Sequence, residues 1–172
     1  LDSPGSVIFK QTRVGQNGRN FKIYKFRSMY IDAEERKKEL MEKNQMSGLM
    51  FKMDDDPRVT PIGRFMRKTS IDEFPQFWNV LKGDMSLVGP RPEVPYHVEH
   101  FKEEIPRYLV RQQVRPGCTG WAQIHGLRGD TDIAERIRYD IWYIENWTVA
   151  LDIKIIFRTV FGGKMVNDEK LQ

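Results

Sequence analysis

The 172-residue chain contains a single cysteine, Cys118, and no run approaching the roughly 20 apolar residues that cross a bilayer. The first property excludes a disulfide-stapled secreted scaffold and fits a reducing compartment, with cytosolic exposure as the default. The second excludes a spanning helix. Histidine is scarce. His97 and His100 stand three apart among Glu99, Glu103 and Glu104, but no cysteine or third histidine lies at ligand spacing, and a polar helix face accounts for them. Neither a Walker loop nor a Gly-rich dinucleotide fingerprint occurs, so P-loop and Rossmann sites are not expected. Internal repeats and low-complexity linkers are also missing. Neither sign of charge dominates: 28 Lys and Arg stand against 24 Asp and Glu, a net +4. That excess fits contact with phosphates of nucleotides, nucleic acids or lipid headgroups without choosing among them. What remains is a globular composition, 40% hydrophobic and 30% charged with 10 Phe, 6 Tyr and 4 Trp, which excludes a disordered tail and a charged helical rod. Its length fits one domain over 1–172. Leu1 opens neither a signal peptide nor an initiator start, so the chain reads as a fragment.

The hydropathy pattern predicts an α+β fold, a mostly helical single domain with a small N-terminal β-hairpin and amphipathic helices suited to a membrane surface. Val7 to Arg13 and Asn20 to Phe26 are rich in β-branched and aromatic residues, and Asn17-Gly18 between them signals a two-residue reversal. Asp32 with Glu35 forms a capping box for a solvated helix near Ala33 to Gln45, supported by Glu34/Lys38 and Glu39/Lys43 at i,i+4. Asp54 to Gly63, with Pro57 and Pro61, reads as a loop leading into Arg64 to Ser70. Phe74, Phe77, Trp78 and Leu81 fall at i, i+3, i+4 and i+7, one face of a helix that Gly83 stops. Gly89-Pro90-Arg91-Pro92 is a stiff loop holding Arg91 in a defined direction. Helical patterning returns at Pro95 to Phe101 and Arg107 to Gln113. It resumes after Pro116-Gly117 with Ile133, Ile137, Ile141 and Ile144 on one face, and a last apolar helix runs near Leu151 to Phe161.

The chemistry concentrates in Arg67-Lys68-Thr69-Ser70-Ile71-Asp72-Glu73-Phe74-Pro75-Gln76. One reading is a capping box with Ser70 as N-cap and Glu73 at the third position, which makes both acids ordinary helix-start residues. Pro75 would then be the fifth helical residue, where the helix needs its missing N–H. Moving the cap to Asp72 places Pro75 at the third position, where no partner is required. Asp72 and Glu73 then sit at the positive end of a helix dipole, with Arg67 and Lys68 just upstream, an arrangement that binds anions. One carboxylate can attack phosphorus while the other helps to hold Mg²⁺, which shields the anionic phosphate from the anionic nucleophile.

Five stretches in order, Gln11-Thr12-Arg13-Val14-Gly15, Lys25-Phe26-Arg27-Ser28-Met29, Asp56-Pro57-Arg58-Val59-Thr60, the Thr69 to Gln76 segment and Lys82-Gly83-Asp84-Met85-Ser86-Leu87-Val88-Gly89-Pro90-Arg91-Pro92, resemble the bacterial sugar transferase family, the monotopic phosphoglycosyl transferases. The resemblance runs from about Gly5 to Phe161. It implies transfer of a sugar 1-phosphate from a UDP-sugar to undecaprenyl phosphate, releasing UMP, at the cytoplasmic face of the bacterial inner membrane, as the first step of exopolysaccharide or O-antigen assembly. It further implies Asp72 as the nucleophile of a covalent phosphosugar intermediate, Glu73 assisting, both acids toward Mg²⁺, and Arg67 and Arg91 on phosphate. Lys25 and Arg27, on one face of a strand by alternation, suit phosphate or headgroup contact, although edge strands carry such charges merely for solubility. The Gln123 to Thr131 segment and Tyr143-Ile144-Glu145-Asn146-Trp147 look like the larger members that use glucose or galactose. Family members carry a hydrophobic re-entrant segment before the stretch matching Leu1 to Gly5, which marks this chain as the catalytic portion of a membrane-anchored enzyme. A homo-oligomer is left open.

Other features carry less. Asp54-Asp55-Asp56 before a proline is a solvated loop more readily than a metal site, and Cys118 reads as a small buried residue. Trp142, Tyr143 and Trp147 precede the last helix, whose apolar residues are flanked by Lys154, Arg158 and Lys164; this fits a helix in the headgroup layer as well as one packed on the core. Phe21 to Arg27 alternates aromatic and basic residues as an RNA-stacking surface would. That alternative, like a non-catalytic membrane scaffold, leaves the Asp-Glu dyad unexplained.

Overall fold

A computed structural model describes residues 3–40, 56–128 and 131–162. Strands β1 (Ile8–Val14) and β2 (Asn20–Phe26) pair antiparallel, with Ile8 opposite Phe26 and Val14 opposite Asn20. The connection is longer than the two-residue turn expected. Gly15 N donates to Arg19 O, and Gln16–Gly18 form a 3₁₀ turn with Asn17 at φ 55° and Gly18 at φ 72°. Asn-Gly thus supplies its left-handed pair inside a five-residue loop. Helix α1 (Ala33–Leu40) begins as expected, but Asp32 gives its carboxylate to Arg36 at 2.7 Å. The Glu34/Lys38 and Glu39/Lys43 pairs and the helix end near Gln45 lie outside the described residues and side chains.

Helix α2 (Pro61–Lys68) starts three residues earlier than the loop reading had it. Thr60 accepts from Gly63 N at 2.9 Å and Pro61 occupies the first helical position, where its missing N–H costs nothing. Helix α3 (Gln76–Leu81) follows, then β3 (Ser86–Val88), α4 (Pro95–Glu104), β4 (Gly117–Thr119), α5 (Trp121–Ile124), α6 (Ile133–Glu145) and α7 (Val149–Phe161). The expected helix at Arg107 to Gln113 is a 3₁₀ turn over Tyr108–Gln112, entered through Arg107 at φ 61°. The β3–β4 pair was not anticipated. It is parallel, with Ser86 opposite Gly117 and Val88 opposite Thr119, and each strand has three residues, too few for a period-2 signal.

Two apolar clusters hold these elements together. Val14, Val98, Phe101, Tyr108, Ile137 and Ile141 form one, joining the hairpin, α4 and α6. Val88, Tyr143 and Ile155 form the other, with Trp121, Ile144 and Leu151 against it. The α6 stripe was read correctly: Ile137 and Ile141 fill the first cluster, and Ile144 reaches the second. In contrast Phe74, Phe77, Trp78 and Leu81, together on one face by spacing, are all exposed, as are Ile62 and Phe65 of α2. On α7, Ile155 is fully buried while Val149, Ile153, Phe157, Val160 and Phe161 face outward. No helix among the described residues is long and apolar enough to cross a membrane.

Candidate active site

Asp72 and Glu73 lie in a 3₁₀ turn, Ile71–Glu73, between α2 and α3. This corrects their expected place at an α-helix start with Asp72 as cap. Ser70 adopts φ 56°, turning the chain sharply after α2, and Pro75 is itself the N-cap of α3, where no N–H is needed. Three residues of 3₁₀ helix supply little macrodipole, so the electrostatic setting of the dyad comes from side chains.

Glu73 Oε1 accepts from Lys25 Nζ and from Arg91 Nη2, each at 2.7 Å. Burial works to raise the Glu73 pKa, yet Arg91 and Lys25, by charge and hydrogen bond, hold it well below the usual carboxylate value. Lys25 is pulled down by its own burial and partly restored by Glu73. Asp72 differs. It is 8% exposed, its carboxylate has no hydrogen bond among the described residues, and burial raises its pKa against the pull of Lys25, Arg67 and Arg91. The two acids are therefore unequal: Glu73 is committed to two cations, and Asp72 is an uncommitted carboxylate among them.

The scaffold explains why these groups meet. Asn79 of α3, fully buried, accepts from Tyr24 N at 3.1 Å and donates to Lys22 O at 2.7 Å, stitching α3 to the edge of β2 and setting Lys25 beside Glu73. Gly63 lets α2 lie directly on the hairpin's exit, because a Cβ there would collide with the Ser28 carbonyl. That approach allows Arg67 Nε to donate to Ser28 Oγ at 2.8 Å. Arg91 is carried by the loop between β3 and α4.

Of the six expected site residues, Asp72, Glu73, Lys25 and Arg91 come together, and Arg67 acts on Asp72 by charge. Arg27 does not join them. It lies just past the end of β2 and donates to Ser6 O, Ser3 Oγ and Ser3 O at 2.7, 2.6 and 3.0 Å, tying down the N-terminal segment. Other basic and aromatic residues of β2 also have intramolecular partners: Lys22 Nζ donates to Thr12 Oγ1 at 2.7 Å at the surface, and Lys10 and Lys82 both lie over the Tyr24 ring.

Sequence reasoning missed three contributors. Arg13 donates to Pro92 O at 3.0 Å, its pKa pushed down to about 10 by burial and by Arg91. Arg111 holds the Arg91 loop from behind. Arg128 donates no side-chain hydrogen bond among the described residues, its Nε is buried without a partner, and burial and Arg91 lower its pKa while Glu73 raises it. No local pattern sets Arg13, Arg111 and Arg128 apart from other arginines of the chain. Cys118, read from sequence as a small buried residue, is only partly buried; it feels the same two charges as Arg128, and burial pushes its thiol up to about 11. His97 and His100 turn to different partners, Glu93 at 3.6 Å and Glu104 at 3.0 Å. Asp56 is paired with Arg58 at 2.6 Å, while Asp54 and Asp55 lie outside the described residues.

Residues 1–165 match the family model described as Bacterial sugar transferase. The chain belongs to the bacterial sugar transferase family. Its relatives in that family include galactosyl transferase CpsE of Streptococcus agalactiae, 54% identical over 156 residues, covering 91% of this chain and 34% of that protein. The UDP-glucose:undecaprenyl-phosphate glucose-1-phosphate transferase of Escherichia coli is 49% identical over 167 residues, 95% of this chain and 34% of that protein. The UDP-N-acetylgalactosamine-undecaprenyl-phosphate N-acetylgalactosaminephosphotransferase of Aeromonas hydrophila is 49% identical over 162 residues, with 93% and 36% coverage. The chain thus spans about a third of the length of these family members.

Proposed function

We propose that this domain transfers a sugar 1-phosphate from a UDP-sugar to undecaprenyl phosphate through an ester on Asp72. The observation that carries the reading is the inequality of the dyad: a buried carboxylate without a hydrogen bond among the described residues, raised in pKa, beside a second carboxylate neutralised by Lys25 and Arg91. In the first step an Asp72 oxygen attacks the phosphorus that bears the sugar. The bond from that phosphorus to the bridging diphosphate oxygen breaks, and UMP leaves with the bond's electrons. In the second step an oxygen of undecaprenyl phosphate attacks the same phosphorus and expels the Asp72 carboxylate, giving a lipid diphosphate sugar. A carboxylate lifted by burial is a better nucleophile than one in water, and Lys25, Arg67 and Arg91 keep it ionised. Arg91 and Arg128 supply positive charge where the diphosphate would lie.

Mg²⁺ fits the donor set: Asp72 and the Glu73 oxygen not bonded to Lys25 or Arg91 are hard carboxylate ligands, and this ion takes one or two of these together with phosphates and water. Bound there, it would neutralise charge on the diphosphate.

The outward apolar residues of α7, with Lys154 and Arg158 beside them and Trp147 at its start, suit a helix lying in the headgroup layer. In this reading the domain works at the cytoplasmic face of the inner membrane, the location the family resemblance implies, where the acceptor phosphate is presented. Glucose or galactose is the donor sugar we favour, from the Gln123 to Thr131 segment. The test is UMP release from UDP-glucose or UDP-galactose with Mg²⁺ and a short polyprenyl phosphate. Native protein should release UMP and Asp72→Asn should not; equal release by both would refute the reading.

A further inference from the structure

The loop that carries Arg91 contains Pro90 and Pro92, so two of its backbone donors are missing, and its carbonyl groups do the holding. Pro90 O accepts from Gly117 N at 2.9 Å, Arg91 O from Arg111 Nη2 at 2.7 Å, Pro92 O from Arg13 Nη1 at 3.0 Å and Glu93 O from Val14 N at 2.9 Å. Four consecutive carbonyls are tied to three parts of the chain, the last two of them to neighbouring residues at the end of β1. The tie to Arg91 itself comes from a buried guanidinium with its own anchors. Arg111 donates through Nε and Nη2 to Asp140 Oδ2 at 3.1 and 2.8 Å, and through Nη1 to the Tyr108 hydroxyl at 3.3 Å. Burial opposes the Arg111 charge, but Asp140 overcomes it and keeps the group cationic. Behind the loop a small, half-open pocket lined by Arg91, Glu93, Tyr108 and Arg111 among others has room for about one water.

We infer that Arg111, fixed by Asp140 of α6, is a positioning residue for Arg91. Proline fixes its own φ and restricts the residue before it, leaving the Arg91 peptide little freedom beyond rotation about the bonds flanking its Cα. The Arg111 bond to the Arg91 carbonyl removes that remaining freedom. The guanidinium of Arg91 is thereby presented to Glu73 on one side and to incoming phosphate on the other. An arginine three residues before the Val114-Arg115-Pro116-Gly117 stretch and an aspartate in the middle of a helix act together on a guanidinium they never touch directly. The positional claim stands on these contacts, whereas its kinetic consequence rests on the proposed transfer.

The test uses Arg111→Lys in the full-length protein. Lysine keeps a charge opposite Asp140 but, as a point donor, cannot serve Asp140 and the Arg91 carbonyl in the same fork. Rotation of the Arg91 guanidinium about its Nε–Cζ bond, followed by NMR, should be slow in native protein and several-fold faster in the variant. Rotation of Arg27, held by Ser3 and Ser6, should not change. Asp140→Asn should move Arg91 in the same direction, which covers a failure of the first variant to fold. In UMP release, Arg111→Lys should lower kcat/KM roughly ten- to a hundredfold, since a small misplacement of a charged group costs that much. It should cost nothing further in an Arg91→Gln background. A merely structural role gives additive losses and unchanged Arg91 rotation, and either result overturns the inference. If native protein releases no UMP, the transferase reading falls, and the rotation measurement still decides the positional claim.

Discussion

At the scale of single residues, the dyad works by division. Neighbouring acids of similar intrinsic pKa are driven apart because two cations converge on Glu73 and, among the described residues, none bonds Asp72. Asp72→Asn should lower UMP release by on the order of 10³-fold or more, as loss of a covalent nucleophile does, whereas Glu73→Gln should leave measurable turnover. Because Asp72 must be ionised to attack and burial raises its pKa from 3.8, the rate of donor cleavage should fall with pH at a higher pH than for an ordinary aspartate. Glu73, held well below its usual value, should add no limb there, and a pH–rate profile of UMP release in single turnover checks both. Arg128 offers a test that needs no turnover. Arg128→Gln should weaken UDP binding about tenfold relative to UMP, the size of one charge-assisted hydrogen bond, as measured by calorimetry. The Asp-Glu pair, with its upstream bases, was legible from local spacing. Its partners Lys25 and Arg91, 48 and 18 residues away from Glu73, were pointed to by the family resemblance and the strand alternation, but only the fold shows that both bind Glu73.

At the scale of elements, periodicity identified the helices but not what their faces meet. The α6 stripe of isoleucines is core, and the equally regular stripe of Phe74, Phe77, Trp78 and Leu81 is surface; a sequence pattern has no term for the partner. On α7 the two kinds of position alternate within one helix. Ile155→Ala should cost about 2–4 kcal/mol by emptying a buried site, while Ile153→Ala should stay within about 0.5 kcal/mol, both read by denaturant unfolding. The 3₁₀ turn of the dyad escaped notice because its cause, Ser70 in the left-handed region, is conformational and serine does not advertise it. The β3–β4 pair escaped because two three-residue strands 31 residues apart leave no local trace.

At the scale of the molecule, the site is the place where all the separate pieces lean on one another: hairpin, α2–α3 corner, proline loop and the α6 framework behind it. Buried charge runs through that junction. Glu93, 3.3 Å from Arg136, has its pKa brought down to about 2 from 4.5 despite burial, by His97, Arg111, Arg136 and Arg13. Its stabilisation, up to about 3 kcal/mol from that difference, is complete above pH 4.5 and lost as pH falls toward 2. Unfolding free energies across that range should therefore show a steeper acid loss for native protein than for Glu93→Gln. The most direct measurement of the whole account is the mass of intact protein quenched after mixing with UDP-glucose or UDP-galactose and Mg²⁺, without lipid acceptor. The account predicts a gain of one hexose phosphate, localised to the peptide containing Asp72 and absent from Asp72→Asn; turnover to lipid product without any such adduct, or an adduct on Glu73 instead, would contradict it.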